Sequence, residues 1–326
     1  MWHGNGARLP THSSHCLAMQ PIIDPIPRQD LMAELSKARF VRNTNKGGNL
    51  IYDFSAHEAP LLMREVGRLR EMAFRNAGGG TGKEIDVDEY DETDIPFRQL
   101  IVWDPCDQEI LGGYRYILCK DLPQNQEGTK YLATSHMFHF SDEFIRDFFP
   151  HTIELGRSFV QPIYQSSKMG SKSLFALDNL WDGLGSLVVD HPDLQYFFGK
   201  VTMYTHFNQR ARDFIMGFWH KYFGDKSNMV YAYKPIRVGL TDQEIAETFT
   251  TGNFQDDYKI LVRKVRELGE NIPPLVNAYM TLSPSMKVFG TAINDEFGDV
   301  EETAIIINLR DLYPNKSARH IETYRK

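Results

Sequence analysis

Cysteine is scarce, long apolar runs are missing, and basic charge is not in excess; each shortage closes off a class of function. Three cysteines, Cys16, Cys106 and Cys119, are too few and too scattered for a disulfide framework or a zinc site, and they fit a reducing cytoplasm. Cys119 ends the apolar run Tyr116-Ile117-Leu118 and reads as a structural thiol rather than a nucleophile. No stretch approaches the roughly 18 uncharged apolar residues that a membrane span needs. Residues 1–18 carry His, Gly, Pro and Ser without the apolar segment of a signal peptide, so they read as a disordered extension, with Met19 as the start. Acidic residues outnumber basic ones by 43 to 36, a net charge of -7, which argues against broad nucleic-acid binding. There is no internal repeat and no low-complexity tract.

What is present suits a globular protein: 42% of the 326 residues are hydrophobic and 12% aromatic. Ser55-Ala56-His57-Glu58 has the spacing of a capping box, predicting a helix from there to about Ala77, with Leu62, Val66, Leu69 and Ala73 as its apolar stripe. Strands are expected over 98–103 and 110–119, joined by the turn Asp104-Pro105-Cys106-Asp107. A short helix over 141–149, a charged strand over 151–164, a helix over 174–190, a strand over 195–204 and an aromatic helix over 206–222 follow. Residues 225–270 are turn-rich and charged and read as a helical insertion, with helices near 241–248 and 255–268. Pro273-Pro274 opens another helix, and strands near 286–292 and 302–309 close the chain. The order predicts a single α+β domain over 19–326, equally describable as a three-layer α/β arrangement.

The most informative segment is Ile153-Glu154-Leu155-Gly156-Arg157-Ser158-Phe159-Val160. It places a carboxylate and a guanidinium inside an otherwise buried strand, where an unpaired charge costs several kcal/mol. A regular strand sends residues three apart to opposite faces, but a bulge at Gly156 brings Glu154 and Arg157 to one side and frees backbone N–H groups able to polarise a carbonyl. A structural ion pair at a strand end is the plainer alternative. Arg70 and Phe74 lie four apart and share a helix face. Asp86, Asp88 and Asp91 form an acidic loop, read either as solvated, as a site for an amino group, or as a partner for Arg70. Gly78-Gly79-Gly80-Thr81-Gly82-Lys83 looks like a phosphate loop but has Glu84 where a magnesium-holding hydroxyl belongs, and a helix rather than a strand before it. It reads as a flexible loop, with folding over a substrate as the functional alternative. His136, His139 and His151 do not have metal-site spacing, and no metal is expected. Lys168-Met169-Gly170-Ser171-Lys172 precedes a helix, where exposed N–H groups suit a phosphate. The aromatic helix over 206–222 is read as core, with an acyl tunnel or a membrane-facing patch as alternatives.

This ordered set resembles the GCN5-related N-acyltransferase (GNAT) superfamily, nearest its hemolysin-like branch with the ornithine-lipid and glycine-lipid N-acyltransferases, and more distantly the autoinducer synthases. The resemblance rests on Arg70-x-x-x-Phe74, the acidic loop with Tyr90, Gly113 with Arg115, and Glu154-x-x-Arg157. It also rests on Leu180-Trp181-Asp182-Gly183-Leu184 and Ile272-Pro273-Pro274-Leu275, and covers roughly residues 60–310. The chain departs in its phosphate loop, where only Gly170 and its lysines stand, and in glycines replacing a tryptophan after the Arg70 helix. The second departure argues against an S-adenosylmethionine acceptor, and the glycine run looks like that of glycine-lipid synthases.

The resemblance implies a mixed central sheet flanked by helices. It implies transfer of a fatty acyl chain, 3-hydroxylated, from an acyl carrier protein thioester to the amine of a small amino acid, glycine before ornithine. Glu154 is then the base, N–H groups at Gly156 polarise the thioester, and Arg157 or Arg70 pairs with the acceptor carboxylate. Asp88 and Asp91 orient those arginines, and Phe74 and Arg115 line the substrate site. Lys168, Gly170, Ser171 and Lys172 contact the donor's phosphopantetheine; Lys168, Lys172 and Arg115 are candidates for docking the acidic carrier. No permanently bound cofactor is implied, only acyl carrier protein or acyl-CoA as donor, with a cytoplasmic enzyme touching the inner membrane peripherally. An acyl-CoA-dependent O- or N-acyltransferase and a non-catalytic acyl-binding protein are the alternatives.

Overall fold

The computed structural model describes residues 19–36, 38–165 and 171–325, with the side chains of 171–174 left aside. The strands are β1 (Arg39–Asn43), β2 (Leu50–Ser55), β3 (Arg98–Asp104), β4 (Glu109–Leu118), β5 (Phe138–Phe140), β6 (Thr152–Val160), β7 (Tyr196–Met203), β8 (Val230–Ala232), β9 (Lys287–Asn294) and β10 (Val300–Asn308). The helices are α1 (Arg28–Leu35), α2 (Pro60–Asn76), α3 (Glu89–Glu92), α4 (Gln126–Thr129), α5 (Ser171–Asp190), α6 (Gln209–Phe223), α7 (Asp242–Thr248), α8 (Phe254–Glu267), α9 (Pro274–Met280) and α10 (Pro314–His320).

Eight strands form one sheet in the order β1-β2-β3-β4-β6-β7-β10-β9, and β5 and β8 pair in a small second sheet. Every neighbouring pair in the large sheet is antiparallel except β6 and β7, which run parallel and are joined through α5. This is the mixed, helix-flanked α+β sheet expected from the sequence. One face carries Leu100, Val102, Leu155, Phe197 and Val201 against α5, α6 and α8. The other carries Ile101, Trp103 and Phe159 against α2, and Ile117, Phe198 and Ile306 against the small sheet.

Helix α2 begins at Pro60, not at the Ser55 box: the Ser55 N–H donates to Glu58 at 2.7 Å, but this closes only a turn, and Pro60 at the first helical position sets the start. It ends in a Schellman motif, with Gly79 N–H on the Phe74 carbonyl and Gly78 N–H on Arg75, made possible by the left-handed φ of +93° at Gly78. The aromatic helix α6 resolves as core: Phe218 is fully buried and meets Phe249 edge-on at 5.4 Å. Segment 225–270 contributes β8, α7 and α8, with Leu240, Ile245, Leu261 and Val265 packed in the main core. The sequence reading missed α1, β1, β2, α3, α4, α10 and the small sheet. No helix among the described residues is long and apolar enough to cross a membrane.

Candidate active site

The parallel pairing of β6 and β7 runs from Thr152↔Tyr196 to Leu155↔Gly199 and stops. Beyond it, among the described residues, β6 pairs only with β4 and β7 only with β10. The two strands therefore part, leaving a wedge whose two edges no longer pair with each other. Close approach just before the wedge requires glycine, since a Cβ at Gly199 would lie 2.5 Å from the Leu155 carbonyl oxygen.

A bulge sits at the same place. Arg115 pairs with Gly156 and Gly113 with Phe159, so Tyr114 opposes both Arg157 and Ser158. The left-handed residue of the bulge is Arg157, at φ +47°, not Gly156. A non-glycine residue there is strained, and such strain gathers at functional sites. Before the bulge, Thr152 and Glu154 face the α2 side; after it Phe159 does. Arg157 also reaches that side, onto Asp86.

Three carboxylates and three guanidiniums interlock there. Asp88 caps the one-turn helix α3, and Asp91 returns to the Asp88 N–H, a capping box that fixes the loop. Arg115 donates to Asp88 at 2.6 Å and Asp91 at 3.1 Å; Arg70 lies 3.2 Å from Asp91; Arg157 lies 2.8 Å from Asp86 and 3.4 Å from Asp88. Burial opposes ionisation of Asp88, but Arg115, Arg157 and Arg70 together outweigh it and hold the carboxyl below its usual range. Arg115 also lies over the Phe97 ring at 4.9 Å, and Arg157 over Phe297 at 4.3 Å. Phe74 meets that same Phe297 edge-on at 5.0 Å, so it supports the ring under Arg157.

Glu154 is 1% exposed. Its Oε2 accepts the Ala133 N–H at 2.9 Å. Burial pushes its carboxyl up to about 7, against the favouring charges of Lys200 and Arg115. A carboxylate poised there takes a proton readily at neutral pH.

The structure brings Glu154, Gly156, Arg157, Arg115, Asp88, Asp91, Arg70 and Phe74 to one face of the sheet. It also changes three readings. Arg70 is fully buried, with its terminal nitrogens on Asp91 and Gln99, so its observed work is to hold the acidic loop. Arg115 is buried within the same network and offers no surface for carrier docking. The glycine run, read as a flexible loop, is tied down: the N–H groups of Thr81 and Gly82 donate to Glu71 at 3.0 and 2.8 Å. Lys168 and Gly170 lie outside the described residues, and Ser171 and Lys172 are the first residues of α5. Cys119 is buried, and its thiol is pushed well up by burial, as a structural thiol should be. Among the described residues no group of three His, Cys, Asp or Glu is placed to hold a metal ion.

Sequence reasoning missed Asp86 as the partner of Arg157, Gln99, and the buried pair Lys200–Glu302 at 2.6 Å. Lys200 had a signal: it is a lone charge inside an apolar strand, the same pattern that singled out Glu154, whereas Glu302 follows Glu301 and had none.

Residues 69–173 match the model of the acetyltransferase (GNAT) domain, a range that contains the acidic loop, the bulge and Glu154. A glycine N(alpha)-acyltransferase of Bacteroides thetaiotaomicron is 55% identical over 306 residues, 94% of this chain and 91% of its own. A second, from Phocaeicola vulgatus, is 52% identical over 308 residues, 94% of each chain. The chain belongs to the GNAT acyltransferases, in the family of these two enzymes. A looser overlap joins this acyltransferase to the solved CoA-dependent acyl-homoserine lactone synthase BjaI, with SAM and isopentyl-CoA: TM-score 0.28, 17% identity, 51% of this chain and 72% of the other. The wedge and bulge of this acyltransferase thus lie inside or beside its matched domain, while Lys200 and Glu302 lie beyond it.

Proposed function

We propose that this acyltransferase joins a fatty acyl chain, 3-hydroxylated, to the amine of glycine, using a thioester on acyl carrier protein. The observation that carries the reading is the buried Glu154, raised to about 7, at the point where β6 and β7 part. The glycine acceptor follows from the names of the two relatives, each more than half identical to this chain. Ornithine is the next acceptor to test, and acyl-CoA the alternative donor.

In this reading the thioester enters the wedge, and N–H groups of β6 at the bulge bind its carbonyl oxygen as negative charge develops. Arg157, partly exposed at 14%, pairs with the acceptor carboxylate, while Asp86, Asp88 and Phe297 hold its guanidinium. Asp91, Arg70 and Arg115 keep the acidic loop in place. Glu154 accepts a proton from the amine, directly or through water. The nitrogen–carbon bond forms, the carbon–sulfur bond breaks, and the thiolate leaves to be protonated. The donor's phosphopantetheine is assigned to Lys168, Gly170, Ser171 and Lys172, as the family resemblance implies. The product is amphiphilic, so release at the inner membrane surface, with peripheral contact, fits this chemistry.

Expression in a bacterium that lacks such lipids, followed by mass spectrometry of the lipid extract, tests the proposal. An N-acyl glycine present with the wild type and lost with Glu154→Gln is the expected result. A folded, expressed enzyme that yields no acyl amino acid in a host with suitable donors overturns it.

A further inference from the structure

Lys200 and Glu302 are an ion pair close to Glu154 that the mechanism above leaves unused. Alternation along β7 puts Phe197, Val201 and Met203 on the α5 face and Phe198 on the face of Glu154. Lys200 and Thr202 follow Phe198 onto that second face. Lys200 is also the first residue of β7 beyond its pairing with β6, so it stands at the apex of the wedge. Its ammonium lies 2.6 Å from Glu302, with side-chain exposures of 11% and 4%. Asn294 Nδ2 and Thr202 Oγ1 donate to the same carboxylate at 2.8 and 3.2 Å; burial opposes its charge, but Lys200, Asn294 and Arg157 together hold it below its usual range.

Lys200 and Glu154 meet through one residue. The Ala133 N–H donates to Glu154 at 2.9 Å, and the Ala133 carbonyl accepts from Lys200 Nζ at 3.5 Å. Next to it, the buried Thr134 hydroxyl sits against the base and, as a hydrogen-bond donor, favours its charged form. The segment is thereby gripped from two strands at the place where those strands have stopped pairing with each other.

We infer that Lys200 is a positioning residue of the acyl-transfer site: anchored by Glu302, it holds the Ala133–Thr134 segment against Glu154 and supplies the cation beside which that carboxylate ionises. This rests on the reading of Glu154 as the base. The other titratable groups facing Glu154 are Arg115 from β4, Tyr90 from the acidic-loop turn and Cys119 after β4. Arg115 is engaged by Asp88 and Asp91. Tyr90 and Cys119 are pushed up and stay neutral at working pH. Lys200 is therefore the cation that favours the charged base most.

The test combines the pH profile of kcat/KM with direct titration of the Glu154 carboxyl by carbon-13 NMR. Lys200→Met should move the acid limb and the Glu154 titration upward together by roughly one unit. That is about a fivefold loss of kcat/KM at pH 7, recovering by pH 9. Lys200→Arg should keep the wild-type profile. Lys200→Met leaves Glu302 buried without its cation, so the double variant Lys200→Met/Glu302→Gln, which removes both charges, carries the same expectation if the single variant folds poorly. A loss by one factor at every pH, with the Glu154 titration unmoved, overturns the role of Lys200. A Glu154 titration that shifts without the rate profile following it keeps Lys200 where it is placed and sinks Glu154 as the base.

Discussion

Replacing Glu154 with glutamine should make the enzyme inactive and, at alkaline pH, more stable. The carboxyl titrates near 4.5 in the unfolded chain and at about 7 in the fold, because burial disfavours its charge more than Lys200 favours it. The sign follows from proton counting. Below 4.5 both states are protonated and the group costs nothing. Between 4.5 and about 7 the unfolded chain gives up the proton first, so stability falls as pH rises; above 7 the loss is complete. The span corresponds to about 3 kcal/mol. Glutamine keeps the length of the side chain and can still accept the Ala133 N–H, but it has no charge to bury. Thermal unfolding of Glu154→Gln should match wild type at pH 4.5 and exceed it by about 5 °C at pH 8, while kcat falls roughly 10²- to 10⁴-fold. The same stability offset at both pH values would refute the buried, raised carboxyl; an undiminished kcat would refute the base.

Further expectations concern the framework around it. In wild type, kcat/KM should rise with pH and level off above about 7, since the base must be ionised; a flat profile from pH 5 to 8 counts against it. Asp91→Asn removes the carboxylate shared by Arg70 and Arg115, leaving buried cations short of a partner. Denaturant unfolding should show a loss of about 3–5 kcal/mol. Arg157→Lys should raise the KM for the amino acid at least about tenfold while changing kcat less, because an ammonium cannot hold the fork made with Asp86 and Asp88; steady-state kinetics decide. Gly112→Ala should destabilise the sheet by about 1–3 kcal/mol, because the new Cβ would lie 2.4 Å from the Phe159 carbonyl oxygen.

Most of the sheet was legible because its strands carry strong apolar patterns: β3, β4, β6, β7, β9 and β10 each fall within a few residues of expectation. β5 and β8 were not, since three-residue strands have no readable period and their pairing joins residues 138–140 to 230–232. The N-terminal hairpin of β1 and β2 was missed because Lys46-Gly47-Gly48-Asn49 was not taken as a turn. At the site, Glu154 was legible as a charge in a buried strand, and Lys200 was legible by the same rule; Glu302 was not, because Glu301 beside it makes the pair look like a solvated strand start. The bulge was expected at Gly156, the residue that tolerates it most easily. The fold places the left-handed conformation one residue later, on Arg157, where Asp86, Asp88 and Phe297 hold a side chain that glycine lacks. The arginine partners could not be assigned from spacing, because α2, the acidic loop, β4 and β6 meet only in three dimensions.

The most direct measurement uses purified enzyme with 3-hydroxyacyl-acyl carrier protein and an equimolar mixture of amino acids, with products weighed by mass spectrometry. The expected result is N-(3-hydroxyacyl)glycine in excess over every other acyl amino acid, formed by wild type and not by Glu154→Gln. Equal product from both proteins, or thioester consumed with no amide formed, would contradict a Glu154-dependent transfer to an amine.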